Sequence, residues 1–220
     1  MQVALLGGTG DIGEGLALRL AHDTDHEVVV GSRKAEKAED AAAGYEATLA
    51  DHGVDAAVGA AENPEAAAGA DVVVLSVPAY HLADTVEAVA DDLSGILVSP
   101  AVGLQRDEAG LHYNPPGIGS VTALAAQAAP DGVPVVGAYH NLAAGRLADL
   151  GADLDWDVPV VADDEDAKAT VVDLTDELDG LRALDAGPLA NAAEVESLTP
   201  LLINLAANNE GLHDLGAKFQ

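Results

Sequence analysis

Between Val3 and Gly31 the chain reads strand, glycine turn, helix, strand, and few folds accept that order. Val3 to Leu6 is a short apolar run, and Gly7-Gly8-Thr9-Gly10-Asp11-Ile12-Gly13 is the turn. Leu16 to Ala21 continues as an apolar helix, and Glu27 to Gly31 gives a second strand. Strands joined through a helix lie parallel in one sheet, because the crossover returns the chain to the same sheet end. Gly8-x-Gly10-x-x-Gly13 has the dinucleotide-binding spacing, in which glycines permit a tight turn, close approach of a pyrophosphate and packing of helix on strand. The spacing alone is weak evidence. Here it follows a strand and opens a helix, the context that offers backbone N–H groups to phosphate. Gly8, Thr9, Gly10, Asp11, Ile12 and Gly13 are therefore expected to bind a cofactor, with a ligand-free glycine turn as the alternative.

The residues after the second strand choose the cofactor. An NAD site places an acid there for the ribose hydroxyl, whereas this chain has Ser32-Arg33-Lys34. Arg and Lys donate charge-assisted hydrogen bonds to a 2′-phosphate that a carboxylate would repel, so the segment reads as NADP-selective. Three of the nine basic residues, Arg33, Lys34 and Lys37, fall within five positions of a chain with 38 acidic ones. Cations are disfavoured at a helix start, so a bound anion explains them better than a solvated face. Thr9 adds a hydroxyl to the same region.

Further strands are expected at Asp71 to Val77, Gly95 to Ser99 and Pro134 to Tyr139, with helices at Glu36 to Asp51 and Tyr80 to Leu93. Ser76, Val77 and Pro78 would end a parallel strand, where ligands bind, although a proline there is equally ordinary turn chemistry. His140 and Asn141 end another strand. A lone histidine in that place is more often structural than catalytic. The expected architecture is α/β: a Rossmann-type, doubly wound, mostly parallel sheet over residues 1–142, with a smaller C-terminal α/β domain over 143–220. In the latter, Trp156 to Val161 reads as a strand, Asp164 to Leu178 as an acidic helix and Leu181 to Gly187 as a further extended segment. The rest reads as one long apolar helix carrying Val195, Leu198, Leu202 and Leu205 on one face, in which Pro200 either kinks the helix or starts a second one capped by Thr199.

Composition excludes several classes. With 9 Lys plus Arg against 38 Asp plus Glu the net charge is −29, far from what nucleic-acid binding requires. Acids spread along the whole chain (24 Asp, 14 Glu) against four Lys read as a halophilic surface, whose self-repulsion molar salt would screen. No Cys is present, so thiol and disulfide chemistry is excluded, and the histidines show no metal-ligand spacing. No apolar run approaches the roughly 20 residues of a membrane span, and the N-terminus opens as a strand without signal-peptide organisation. A soluble cytoplasmic protein is the expectation.

Taken together, Gly8-Thr9-Gly10-Asp11, Gly31 through Ala38, Trp156-Asp157-Val158-Pro159-Val160, Asp179 through Leu189 and Glu194-x-Glu196-Ser197-Leu198-Thr199-Pro200 resemble a known family. It is the archaeal NADP oxidoreductases that use the deazaflavin coenzyme F420. The resemblance covers most of the chain and implies two small-molecule coenzymes, NADP and 8-hydroxy-5-deazaflavin coenzyme F420, stacked in a cleft with hydride passing directly between them. It further implies orienting roles, without acid–base work, for His140, Asn141 and Leu142, deazaflavin contacts near Leu198, Thr199 and Pro200, and a homodimer. Ala79, Ile12, Asn141, Leu142 and Ala206 to Asn209 depart from the family's usual residues. Two other readings remain at this level: an NADPH-dependent reductase of a small carbonyl or imine, with His140 or Tyr139 as proton donor, and a non-catalytic NADP sensor.

Overall fold

A computed structural model describes all 220 residues. Its centre is one eight-stranded sheet. The first half supplies β1 (Gln2–Leu6), α1 (Asp11–Asp23), β2 (Glu27–Ser32), α2 (Ala35–Asp51), β3 (Val58–Glu62), α3 (Asn63–Ala67), β4 (Val72–Leu75), α4 (Leu82–Ala88) and β5 (Ile96–Ser99). A hairpin of β6 (Leu104–Asp107) and β7 (Gly110–Tyr113) follows, then α5 (Val121–Ala128) and β8 (Val135–Gly137). The remainder is α6 (Ala144–Ala148), β9 (Trp156–Ala162), α7 (Glu165–Asp176), β10 (Leu181–Asp185), α8 (Ala192–Glu196) and α9 (Leu198–Asn208). The sheet order is β10-β9-β8-β5-β4-β1-β2-β3, with the hairpin as a separate two-stranded sheet. From β1 the chain winds outward through β2 and β3, then returns to the other side of β1 through β4 and β5, which makes a topological switch point between β1 and β4.

Side-chain alternation explains why these strands are apolar throughout. Val3 and Leu5 join a cluster of 33 buried residues on one face, and Ala4 and Leu6 join a cluster of 18 on the other. Val72 and Val74 face the first, Val73 and Leu75 the second. A strand covered by helices on both faces has no polar side to show, which is why such strands are parallel, central and nearly continuous in Val and Leu.

Residues beyond 142 extend this sheet. β9 pairs antiparallel to β8 through only Val136↔Ala162 and Gly137↔Val161, and β10 lies parallel to β9. Arg19 of α1 is buried and ties the first half to the second by donating to the carbonyls of Leu147 (3.0 Å), Asp149 (2.7 Å) and Ala152 (3.0 Å). Trp156 N–H donates to Gly180 O on the β10 side, so the next N–H points to the opposite edge, which the short β8 does not reach. There the C-terminal tail fills in: Asp157 N–H donates to Ala217 O at 2.7 Å, and Phe219 N–H donates to Asp157 Oδ2 at 2.6 Å.

The structure corrects three sequence expectations. The segment Tyr80 to Leu93 is not one helix; α4 ends at Ala88, flanked by single 3₁₀ turns, although Leu82, Val86, Val89 and Leu93 still fall on its buried side. The C-terminal stretch is not helical to its end, since α9 stops at Asn208, and of the two readings of Pro200 the one with a second helix holds, α8 and α9 being separated at Ser197. Ser197, rather than Thr199, takes the N-cap position of α9, and Pro200 sits in its first turn, where a missing N–H has no intrahelical partner to lose. β3, the hairpin, α5 and α6 carried no clear signal: β3 is an edge strand of mostly small residues, and every residue of β6 is exposed.

Candidate active site

The glycine turn is built by contacts that exclude side chains. Gly7 has φ +74°, and a Cβ there would lie 2.5 Å from Val77 Cγ1 and 2.9 Å from Ser76 O, so the ends of β1 and β4 touch through it. A Cβ on Gly8 would meet Leu5 O at 2.7 Å, and one on Gly13 would meet Gly8 Cα at 2.5 Å. Gly10 is different. Its nearest neighbours would be Gly7 O at 3.6 Å and Ser76 O at 4.0 Å, ordinary contacts that any residue tolerates. The protein's own packing therefore does not require glycine at this position; closeness of a ligand to the backbone would. Gly10 precedes α1 in extended conformation and no side chain caps the helix, so its first-turn N–H groups have no side-chain acceptor. Thr9 and Asp11 are exposed, and Ile12 is half-buried. Tyr45, on α2, supports the turn from below by donating its hydroxyl to Gly8 O at 2.8 Å. Sequence reading missed it, because nothing local marks a tyrosine 37 residues away as a turn residue.

At the end of β2, Ser32 is buried while Arg33, Lys34 and Lys37 are exposed. Lys34 is the N-cap position of α2, again with no capping side chain. The other cations show how unusual these three are. Lys168, Arg182 and Lys218 are ion-paired, and Arg19 and Arg146 donate to carbonyls. Only Arg33, Lys34, Lys37 and the hairpin's Arg106 lack any side-chain hydrogen bond or salt bridge, in a chain with 38 carboxylates.

Six buried side-chain atoms lack a hydrogen-bond partner: His26 Nε2, Asn63 Oδ1, Ser76 Oγ, Ser99 Oγ, His140 Nδ1 and Asn141 Oδ1. His26 lies beside Glu177 at 3.0 Å. The other five all sit at the carboxyl ends of parallel strands β3, β4, β5 and β8, the rim where open α/β sheets bind ligands. Buried polar atoms are normally satisfied, so their concentration on one rim marks a functional edge. Ser76 was expected there; Asn63 and Ser99 were not. Val77 is half-buried against Gly7, Pro78 is exposed, and two residues on Tyr80 stands 79% exposed beside His81.

After β8 the chain reverses through Tyr139, whose φ of +66° is left-handed, a conformation that strains a bulky residue. Tyr139 is anchored in the core, where its hydroxyl donates to Thr175 Oγ1 at 3.0 Å, the threonine's own hydrogen going to Val171 O at 2.7 Å. The strain delivers His140, Asn141 and Leu142, all buried, to the rim. Thr199 Oγ1 donates to His140 O at 2.6 Å, and Asn141 Nδ2 donates to Asp157 O at 2.8 Å. Burial pushes the Tyr139 phenol up to about 12 and His140 down to about 3, so near neutrality neither exchanges a proton.

A largely apolar cavity of about 500 Å³ opens beside this segment, lined by Asn141, Leu142, Thr199, Leu202, Ile203 and the tail residues Leu212 to Leu215 among others. It unites two stretches that lie 55 positions apart at their nearest (144 to 199). Of Leu198, Thr199 and Pro200, Thr199 alone lines it; Leu198 is half-buried and Pro200 is packed inside. The tail wall is held by Asp157, whose carboxylate takes bidentate bonds from Arg182 (2.8 and 2.7 Å) besides the Phe219 N–H. Arg182 and the neighbouring backbone N–H hold the Asp157 carboxyl down to about 2.

Residues 2–103 match the model of a family described as NADP oxidoreductase, coenzyme F420-dependent. An F420-dependent NADP reductase of Methanocaldococcus jannaschii is 40% identical over 209 residues, 93% of this chain and 92% of the relative. The chain belongs to the F420-dependent NADP reductase family. Its counterpart in Methanothermobacter thermautotrophicus is 39% identical over 214 residues, 95% of this chain and 90% of that one. A crystal structure of a proposed family member from Arthrobacter sp. FB24 superposes with a TM-score of 0.81 at 28% identity, covering 100% of this chain and 99% of its own. The family model spans β1 to β5, hence the glycine turn, the basic segment and Ser76 to Pro78, while the near full-length relatives extend the similarity over His140 to Leu142 and Thr199.

Proposed function

We propose that this chain transfers a hydride directly between NADP(H) and the 8-hydroxy-5-deazaflavin coenzyme F420. What supports it most is that the carboxyl end of one sheet carries both an uncapped glycine turn followed by unpaired cations and, after β8, an apolar cavity bounded by Asn141, Leu142 and Thr199. The two coenzymes supply the redox chemistry at nicotinamide C4 and deazaflavin C5, so the protein's task is alignment and exclusion of water. Gly8, Gly10 and Gly13, with the N–H groups of Asp11 and Ile12, receive the pyrophosphate. Ser32, Arg33, Lys34, Lys37 and the Thr9 hydroxyl hold the phosphate and ribose groups. Ser76, Val77 and Pro78 flank the nicotinamide. His140, Asn141, Leu142 and Thr199 orient the deazaflavin, and Leu198 and Pro200 shape the segment that carries Thr199. The division falls near residue 142: 1–142 holds NADP and ends in the His140 to Leu142 segment that faces the deazaflavin, and 143–220 supplies the rest of the deazaflavin side.

Reduction of a small carbonyl or imine fits less well, because it needs a proton donor. Tyr139 is buried with its pKa raised to about 12 and His140 is held neutral, so both expected donors are out of service. Leu201 and Leu205, one turn apart on the side of α9 away from the cavity, are 54% and 42% exposed, and we place a homodimer contact there. No helix is long and apolar enough to cross a membrane, in keeping with a cytoplasmic enzyme.

The test is absorbance at the deazaflavin band in molar salt, mixing protein, NADPH and oxidised deazaflavin. Rapid bleaching is expected, reduced about 10- to 100-fold at limiting cofactor by Arg33→Ala or by NADH, the range of one to two charge-assisted hydrogen bonds. NADPH binding without bleaching would refute the reading. Because −29 charges must accept two anionic coenzymes, activity should fall steeply in dilute buffer; full activity there would count against the halophilic assignment.

A further inference from the structure

Glu196 is the one glutamate with a fully buried side chain, and no cation lies against it. Both oxygens are nevertheless filled. Oε1 accepts from Thr122 N (2.9 Å) and Thr122 Oγ1 (2.9 Å), and Oε2 accepts from Val121 N (3.0 Å) and Tyr113 OH (2.9 Å). The carboxyl group thus caps two first-turn N–H groups of α5, while Ser120 Oγ takes a third from Ala123 at 2.9 Å. A helix start is where a buried carboxylate can do without a basic partner.

The arrangement has a consequence one residue further in. A threonine hydroxyl has a single hydrogen, and Thr122 gives it to Glu196. Thr122 Oγ1 also lies 3.2 Å from His140 Nε2, so it can only accept there, and Nε2 must carry the proton. A neutral imidazole has one N–H, which leaves Nδ1 bare; it is buried and has no donor in the protein. At the other end of the same residue, Thr199 holds the His140 carbonyl. Glu196 and Thr199, three positions apart across the α8–α9 break, therefore grip the ring and the backbone of one histidine.

We infer that Glu196 is a positioning residue: acting through Thr122, it locks His140 in the Nε2–H tautomer and thereby fixes the Asn141-Leu142 wall of the cavity. The lock also removes His140 from proton transfer, since its N–H is committed to Thr122 and its lone pair is buried. The structural part stands on the free protein, and its effect on turnover rests on the hydride-transfer reading above. Without Glu196, the Thr122 hydroxyl is free to donate to Nε2, and the proton moves to Nδ1.

The experiment is imidazole ¹⁵N NMR of the full-length protein at neutral pH, with His140 assigned by its loss in His140→Gln. Wild type should show a protonated Nε2 and a bare Nδ1. Thr122→Val should yield the other tautomer or a mixture, and Thr122→Ser, which keeps the hydroxyl, should restore the wild-type signature. Glu196→Ala should do what Thr122→Val does, and the threonine pair keeps the test decisive if that variant does not fold. In turnover, Thr122→Val should lower kcat about tenfold, the size of one hydrogen bond, with KM for NADPH unchanged and recovery in Thr122→Ser. A protonated Nδ1 in wild type, or an unaltered tautomer in Thr122→Val, would overturn the inference. Wild-type protein with the expected tautomer but no bleaching would overturn the hydride-transfer reading instead and leave the lock in place.

Discussion

The two ends of the proposed site are built in opposite ways. The glycine turn and basic segment lie within residues 7–37, and their contacts are short in sequence: Gly13 on Gly8, and Gly8 N–H on Gly31 O. The cavity end is assembled from distant pieces, Thr199 on His140 (59 residues apart), Glu196 on Thr122 (74) and Phe219 on Asp157 (62). A local site is specified by strand, turn and helix before the rest of the chain has folded, whereas a composite site exists only when every element has docked. Substitutions should therefore separate fold from function at the first end and join them at the second.

The largest expected effect breaks the glycine turn. Gly13→Ala drives a Cβ into the Gly8 backbone, which cannot yield, and should cost about 3 kcal/mol of stability in chemical denaturation. Gly10→Ala meets only ordinary contacts, so it should keep the wild-type denaturation midpoint and lose at least about tenfold in NADPH affinity, from the steric block alone. Equal destabilisation of the two variants would erase the distinction between packing and ligand glycines.

Next comes the composite end. Burial holds His140 at about 3 against an ordinary 6.5, so below pH 6.5 the unfolded chain binds a proton that the folded one refuses. The stability this group contributes is complete above about pH 6.5 and should fall toward pH 3, with a slope up to about 1.4 kcal/mol per pH unit. His140→Gln should flatten that window in pH-dependent denaturation; an unchanged slope would assign it elsewhere. Asp157, held down to about 2, contributes stability present above pH 4 and lost as pH falls toward 2, on the order of 2 kcal/mol. Its loss should release the tail, and Trp156, the chain's single tryptophan, reports it by fluorescence because Gly216 lies flat on the indole. Asp157→Asn should leave the tail loose at neutral pH, with an emission spectrum that no longer responds to acid.

The smallest effect probes a side-chain hydrogen bond that supports the local end. Tyr45→Phe removes the bond to Gly8 O and should cost about 1 kcal/mol, with a small rise in KM for NADPH and no change in kcat. A fall in kcat would show that the turn and the cavity are coupled more tightly than their construction suggests.

Legibility follows the same division. Glycines, an apolar strand and a cluster of cations are readable because each residue's role depends on neighbours within a few positions, and the structure shows that packing demands glycine at 8 and 13 but not at 10. His140, Asn141 and Thr199 could be named from family resemblance, and Glu196 is part of the same wording, yet nothing in the sequence shows that Tyr139 turns left-handed before His140, that Glu196 reaches Thr122 or that the tail walls the cavity. Apolar spacing persists across Ser197 and so leaves open whether Pro200 kinks one helix or starts another; the structure breaks the helix there, with Glu196 on Thr122 and Thr199 on the His140 carbonyl.

By itself the sequence determined the α/β class, the parallel Rossmann core, the glycine turn and the cluster of cations after the second strand, since strand periodicity, glycine conformation and local charge act over a few residues. Only the tertiary structure decided that β9 and β10 extend the same sheet, that the C-terminal tail repairs the edge β8 leaves open, and that residues 141, 142 and 199 share one cavity. Those outcomes depend on which surfaces meet once helices and strands have packed, and no window of neighbouring residues contains that information.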